Sequence, residues 1–347
     1  MATGANRQRS CMTVWPGEQT SVTVAPIVRI EGARAVMADF GRVTIRGPEV
    51  IMSLTVPPAP FDIAEVFPEL VPYARATTLL YPRAGSPVRD ESSMGGPLLW
   101  PADEPWPMCT APDHYNPARG CAVVGPSPVA MVPMLQLIAR DVPALVFPVG
   151  TDVLQVLWCP LIHSEYDQNS PVPVLRWRSI ADLADRPLLD ETPQPHEFDD
   201  EYVPQPCVIH PTETVEYPNW DLPTELSERV GKWSEQIEQS CGISYYDAFT
   251  TQQSKIGGYP GWMQPPNWPH CTCGSRMEHL LTISASESCG RWLPVEERTR
   301  PGCGWETSDN PELQHDSHEM IMGDCGGVYV FVCRTCPTWP TIHRYDC

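Results

Sequence analysis

The stretch Ser254-Lys255-Ile256-Gly257-Gly258-Tyr259-Pro260-Gly261-Trp262 has a counterpart earlier in the chain, Ser93-Met94-Gly95-Gly96 running on to Trp100. In both, a Trp stands four residues after the second Gly of a Gly pair. Beyond each lies a short apolar strand pattern, Met134-Leu135-Gln136-Leu137-Ile138 after the first and His279-Leu280-Leu281-Thr282-Ile283 after the second. The intervening loops differ in length, as loops of a duplicated unit are free to do, so the pattern predicts one domain made of two similar halves. A metal-ligand pattern is read in the second half alone, and the first is expected to lack one. Cys271-Thr272-Cys273 precedes the second strand, and Cys333-Arg334-Thr335-Cys336 follows the next one, Val328 to Val332.

Two close thiol pairs beside strands predict a tetrahedral zinc clamp with Zn–S bonds of about 2.3 Å, closed at little cost in chain entropy. Cys271, Cys273, Cys333 and Cys336 are the expected ligands. The single-residue spacer of the first pair is less usual than the two-residue spacer of the second, and His270, Cys325 and His343 are alternative donors. The competing reading is that these cysteines are small buried hydrophobes. Four thiolates would leave no coordination position open to water, so the zinc expected here is structural rather than catalytic.

Composition narrows the function classes. Hydrophobic residues make up 42% of the 347, enough for a core, but 41 prolines keep long helices from dominating and predict short strands and Pro-rich loops. A formal charge of −20 repels a phosphate backbone and an anionic membrane surface alike, which argues against nucleic acid or membrane as a direct partner. Lys232 and Lys255 are the lysines, against 21 arginines, a skew that suggests a GC-rich coding genome. The opening MATGANRQRSCMTVWPGEQT has no apolar signal-peptide core, so the 14 cysteines are expected in a reducing cytoplasm rather than in disulfides. The most apolar stretch, Val142 to Ile162, is broken by Pro143, Pro148, Asp152 and Pro160 and falls short of a membrane span.

Four regions follow along the chain. Residues 1–51 are weakly patterned and are expected to be poorly ordered or to precede the true start; the alternative is a hairpin from Val22 to Ile30 and Ala35 to Ile45. Residues 52–162 form the first repeat, with helical spacing from Phe61 to Tyr73 and strands near 77–81, 132–138, 144–149 and 153–158. Residues 163–220 read as a linker and acidic loop, with a strand at Val174 to Trp177, a short helix capped by Ser179, and six acids between Asp190 and Glu201. Residues 221–347 form the second repeat. Its helix is predicted over Pro223 to Gln239, where Leu226, Val230, Trp233 and Ile237 share one face; Asp221 is the expected start signal and Gly242 the stop.

Other chemistry is thin. Neither Gly pair continues into a phosphate-loop or dinucleotide fingerprint, so each reads as a turn with positive φ or as a close packing point against the Trp of its own copy. There is no Gly-x-Ser-x-Gly elbow and no His-Glu-x-x-His helix. His315, Asp316, His318 and Glu319 could gather around a second, open metal site, although polar loops of this kind usually face water.

The run from Ser254 to Trp262, then Cys271 to Gly274, Met277 to Ile283 and Val328 to Cys333, resembles the YwqG-like family of bacterial proteins. The same order with its Cys pairs is similar to the programmed-cell-death protein two family, whose members are chaperones for a small-subunit ribosomal protein. The resemblance spans roughly Thr77 to Cys336. It implies a duplicated α+β fold in which each half is a strand, a helix and a small antiparallel sheet, and it implies zinc ligation by Cys271, Cys273, Cys333 and Cys336. Two functions compete: a non-enzymatic, zinc-stabilised protein-binding module, chaperone-like or immunity-type, whose acidic surface suits a basic client; and a metal-dependent hydrolase using the His315/His318 region.

Overall fold

The computed structural model describes residues 54–116, 120–122, 128–163, 170–287, 291–298, 316–323 and 326–346. The expectations for residues 1–51 lie outside them. Prolines keep the elements short: the helical spacing from Phe61 is cut at Pro68 into α1 (Ile63–Val66) and a 3-10 turn (Pro68–Tyr73). Strands then follow as β1 (Arg75–Leu79), β2 (Arg83–Ala84), β3 (Ser93–Met94), β4 (Met108–Cys109), β5 (His114–Asn116), β6 (Cys121–Ala122), β7 (Val129–Ala130), β8 (Val132–Ile138), β9 (Val153–Trp158), β10 (Ile162–His163) and β11 (Pro173–Arg178). After α2 (Ile180–Leu183) come β12 (Cys207–Val208) and β13 (Thr212–Glu216), then α3 (Thr224–Cys241), α4 (Tyr245–Phe249), β14 (Lys255–Gly257), β15 (Glu278–Ser284), β16 (Gly327–Val332) and β17 (Thr341–Asp346).

The fold is mixed α and β, dominated by two antiparallel six-stranded sheets ordered β11-β9-β8-β3-β12-β2 and β13-β1-β14-β15-β16-β17. β3, β8, β9 and β11 occupy in one the places that β14, β15, β16 and β17 occupy in the other. Two of the four remaining strands are exchanged. β1, which opens the first half, pairs with β13 and β14 in the second sheet, while β12, which opens the second half, pairs with β2 and β3 in the first. The chain passes from one sheet to the other directly after each exchanged strand. Residues 163–220 carry the expected strand as β11 and are more than a linker and acidic loop, because they also supply β12 and β13 to the sheets. Two-residue β12 is too short to show any pattern in sequence, and only its pairing identifies it.

β9 and β16 are buried along their whole length, so they read as continuous apolar runs rather than alternating ones. One core joins the sheets, taking Met134, Leu154 and Val156 from the first and Leu281, Val328 and Val330 from the second. The expected strand at 144–149 is a turn region instead. Pro143 and Pro148 offer no N–H to a ladder, Leu145 N bonds to Val142 O at 2.9 Å, and Val149 is fully exposed. α3 matches its prediction closely. It buries Leu226 and Val230 in a cluster containing Phe67, Leu70 and Phe249, buries Ile237 as well, and stops at Gly242, which has φ 76°. Asp221 does not cap it; its carboxylate accepts from Trp268 and Arg276. Ser179 likewise gives no side-chain cap to α2, whose Ile180 N donates to Asp152 Oδ1 at 2.7 Å. Among the described residues no helix is long and apolar enough to cross a membrane.

The second Gly pair packs against a charge, not against its Trp. Gly257 and Gly258 both have positive φ, and a Cβ on Gly258 would collide with Glu216 Oε1. Glu216 is fully buried and receives Lys255 Nζ on both oxygens, at 2.9 and 2.8 Å, with Thr251 O as the third acceptor at 2.6 Å. The backbone N–H groups of Thr251 and Tyr259 complete its shell. Burial pulls the Lys255 pKa down and the Glu216 charge opposes that pull. Nearby, Ser254 N donates to buried Glu287 Oε1 at 2.8 Å, and burial lifts the Glu287 pKa to about 8.

Gly258→Ala is expected to cost about 3 kcal/mol or more in urea unfolding, since it displaces one partner of a buried ion pair. Gly150→Ala, at φ 83° with nothing within 4 Å, is expected to cost only about 1 kcal/mol. Because the folded pKa of Glu287 is raised, its stabilising contribution is complete below the usual 4.5 and is lost as pH rises toward about 8. Glu287→Gln is therefore expected to stabilise the fold at pH 7 by about 1 to 3 kcal/mol and to show no gain at pH 4, read from unfolding curves at both pH values.

Candidate metal centre

Cys271, Cys273, Cys333 and Cys336 come together at one end of the second sheet, where β15 begins and β16 ends. Cys271 N bonds to Ser275 O and Gly274 N to Cys271 O; Gly274, at φ 87°, supplies the left-handed turn that lets this short loop fold back. On the other side Cys333 N bonds to Pro340 O and Trp339 N to Cys336 O, which closes the loop between β16 and β17. The sulfurs of Cys271 and Cys336 are 3.7 Å apart and those of Cys273 and Cys333 are 3.6 Å apart, with all four within 4.8 Å of one another. A disulfide needs about 2.05 Å. A tetrahedron of Zn–S bonds has edges of about 3.8 Å, and these separations fit it.

The four thiols do not share one acidity. Hydrogen bonds from Ser275 lead in lowering the Cys273 pKa to about 6, while donation toward Cys273 and Cys271 leads in pushing Cys336 up to about 12. Four thiolates this close repel one another unless a cation sits between them, and a divalent metal supplies that charge. Beneath the clamp, Trp262, Met277, Tyr329 and Phe331 form an apolar floor with the buried Cys271 and Cys333. Cys273 is exposed and Cys336 half-buried.

The alternative donors fall elsewhere. His270 is exposed and outside the cluster. His343 lies on β17 and is buried, which lowers its pKa to about 4. Cys325 and His315 lie outside the described residues. His318 is completely buried, its Nδ1 accepts from Met320 N at 3.0 Å, and burial lowers its pKa to about 4. Among the described residues no group of three or more metal-binding side chains includes it.

The expectation that the first half lacks a ligand group is corrected by the structure. Cys109, His114, Cys159 and His163 bring their ligand atoms within 4.8 Å of one another, and all four residues are buried. A search for paired cysteines passes over this set, because each pair mixes Cys with His at spacers of four and three residues. A usable signal was present: Trp106-Pro107-Met108-Cys109 and Trp268-Pro269-His270-Cys271 share Trp-Pro-x-Cys at the same distance after their Gly pairs.

Compared with known protein families and with curated proteins, the sequence matches none. Replacing Cys333 and Cys336 together by Ser is expected to lower the metal content of the purified protein by about one zinc per chain and to destabilise the fold by several kcal/mol. Elemental analysis and urea unfolding check both, and an unchanged metal content would show that these sulfurs are not ligands.

Proposed function

We propose that this chain is a non-enzymatic protein-binding module whose second half is stabilised by a structural zinc held by Cys271, Cys273, Cys333 and Cys336. Four sulfurs at tetrahedral separations fill every position of such an ion, which suits stabilisation rather than catalysis. The resemblance to the programmed-cell-death protein two family favours the chaperone-like reading over the immunity-type one, and thiolate ligands suit a reducing cytoplasm.

The observation that carries the binding role is the acidic loop. Asp190, Glu191, Asp200 and Glu201 are exposed, and Phe198 stands 43% exposed among them. The loop is pinned rather than free. Asn116 Nδ2 donates to Glu197 Oε1 and Phe198 O, Asp199 N donates to Pro160 O, and Tyr202 inserts into the main core. An aromatic anchor held rigidly on a loop rich in exposed carboxylates suits a basic segment of a client protein. A cleft of about 350 Å³ beside β14 and β15 fits such a client less well, because Arg75 and Arg334 line it together with Glu278.

Phe198→Ala combined with Asp200→Asn and Glu201→Gln is expected to reduce recovery of a stoichiometric partner from the native host about tenfold, with no change in thermal unfolding. Recovery by the unaltered protein is expected to fall as salt rises. Undiminished recovery by the variant, or a protein that purifies alone at physiological salt, would overturn the reading.

A further inference from the structure

The first half repeats the architecture of the zinc clamp with different donors. From each Gly pair the same spacing leads to a first Trp (Trp100, Trp262), a second Trp six residues on (Trp106, Trp268), and then Pro-x-Cys. The backbone agrees: Met131 N bonds to Pro107 O at 3.0 Å, and Met277 N bonds to Pro269 O at 3.0 Å. Cys109 thus stands where Cys271 stands. Cys159 follows β9 directly, as Cys333 follows β16 directly, and these two strands hold the same place in their sheets. His114 and His163, paired to each other through β5 and β10, supply the remaining two corners.

We infer that Cys109, His114, Cys159 and His163 form a second, fully enclosed zinc site with two thiolate and two imidazole ligands. Two of the three sulfur–nitrogen separations match such an ion, and the third is shorter. Cys109 Sγ is 3.1 Å from His114 Nε2 and 3.6 Å from His163 Nε2, and Cys159 Sγ is 3.6 Å from His114 Nε2. Bonds of about 2.3 Å to sulfur and 2.0–2.1 Å to nitrogen put the tetrahedral S···N edge near 3.6 Å. Both imidazoles turn the same nitrogen, Nε2, toward the sulfurs, and their rings lie side by side with centroids 4.8 Å apart. A mixed nitrogen and sulfur donor set in tetrahedral array selects zinc among the common divalent ions.

Charge explains why the donors differ between the halves. Two thiolates and two neutral imidazoles around a divalent ion sum to zero, which is tolerated where no ligand residue is more than 7% exposed. Four thiolates leave two negative charges, and that clamp lies at the surface with Cys273 in water and Arg276 and Arg334 close by in sequence. The buried site takes the neutral set and the exposed site the charged one.

The test uses the intact protein purified from zinc-supplemented cells, with elemental analysis and zinc-edge X-ray absorption. Two zinc ions per chain are expected, with an average shell of three sulfurs and one nitrogen, because the outer clamp offers four thiolates and the enclosed site two thiolates with two imidazoles. One zinc per chain with an all-sulfur shell would overturn the inference while leaving the outer clamp intact. The Cys333→Ser, Cys336→Ser protein gives a second reading: it should keep one zinc, now with two sulfurs and two nitrogens. If that protein does not fold, the absorption spectrum of the unaltered chain decides alone.

Discussion

The structure depends on backbone pairing across the two halves. β1 and β12 each lie inside the sheet of the opposite half, with a partner strand on either side. Pulling the halves apart would strip both flanks of each exchanged strand and leave buried N–H and C=O groups without partners. It would also split one core to which both sheets contribute. The halves are therefore one folding unit, and neither Gly-pair segment has a complete sheet of its own.

That arrangement accounts for the polar chemistry around the second Gly pair. Glu216 ends β13 at the sheet margin, and its carboxylate must reach Lys255 on β14 across the exchanged strand β1. A side chain at position 258 would occupy the space the carboxylate needs, so the turn has to be glycine. In the first half, Gly95 likewise meets the carbonyls of Pro204 and Gln205 at 2.8 Å from its would-be Cβ. Each Gly pair thus marks a close approach of another segment, a buried carboxylate in one half and bare backbone in the other.

Both groups of Cys and His side chains sit at the same end of equivalent hairpins, β8–β9 and β15–β16. Sheets that short, joined by long Pro-rich loops, have little local order to hold the loops in place. A tetrahedral ion joining the loop before one strand to the loop after the next would fix four backbone points at once. The Trp residues under each group add an apolar contact to that tether. The rings of Trp100 and Trp106 meet at 4.9 Å between centroids, and those of Trp262 and Trp268 at 6.0 Å.

Much was legible from residue order. The apolar runs at 132–138, 153–158, 278–284 and 327–332, the amphipathic face of α3 with its Gly stop, and the two thiol pairs are local patterns whose period or spacing carries the physics. The sequence by itself determined the class of fold, the helix, and which cysteines meet in the second half. Only the tertiary structure decided that β1 and β12 change sheets, that Asp152 rather than Ser179 serves α2, and that Cys109 and Cys159 meet two histidines. Those facts rest on contacts between residues far apart in the chain, where two-residue strands and mixed donors leave no periodic signal to read.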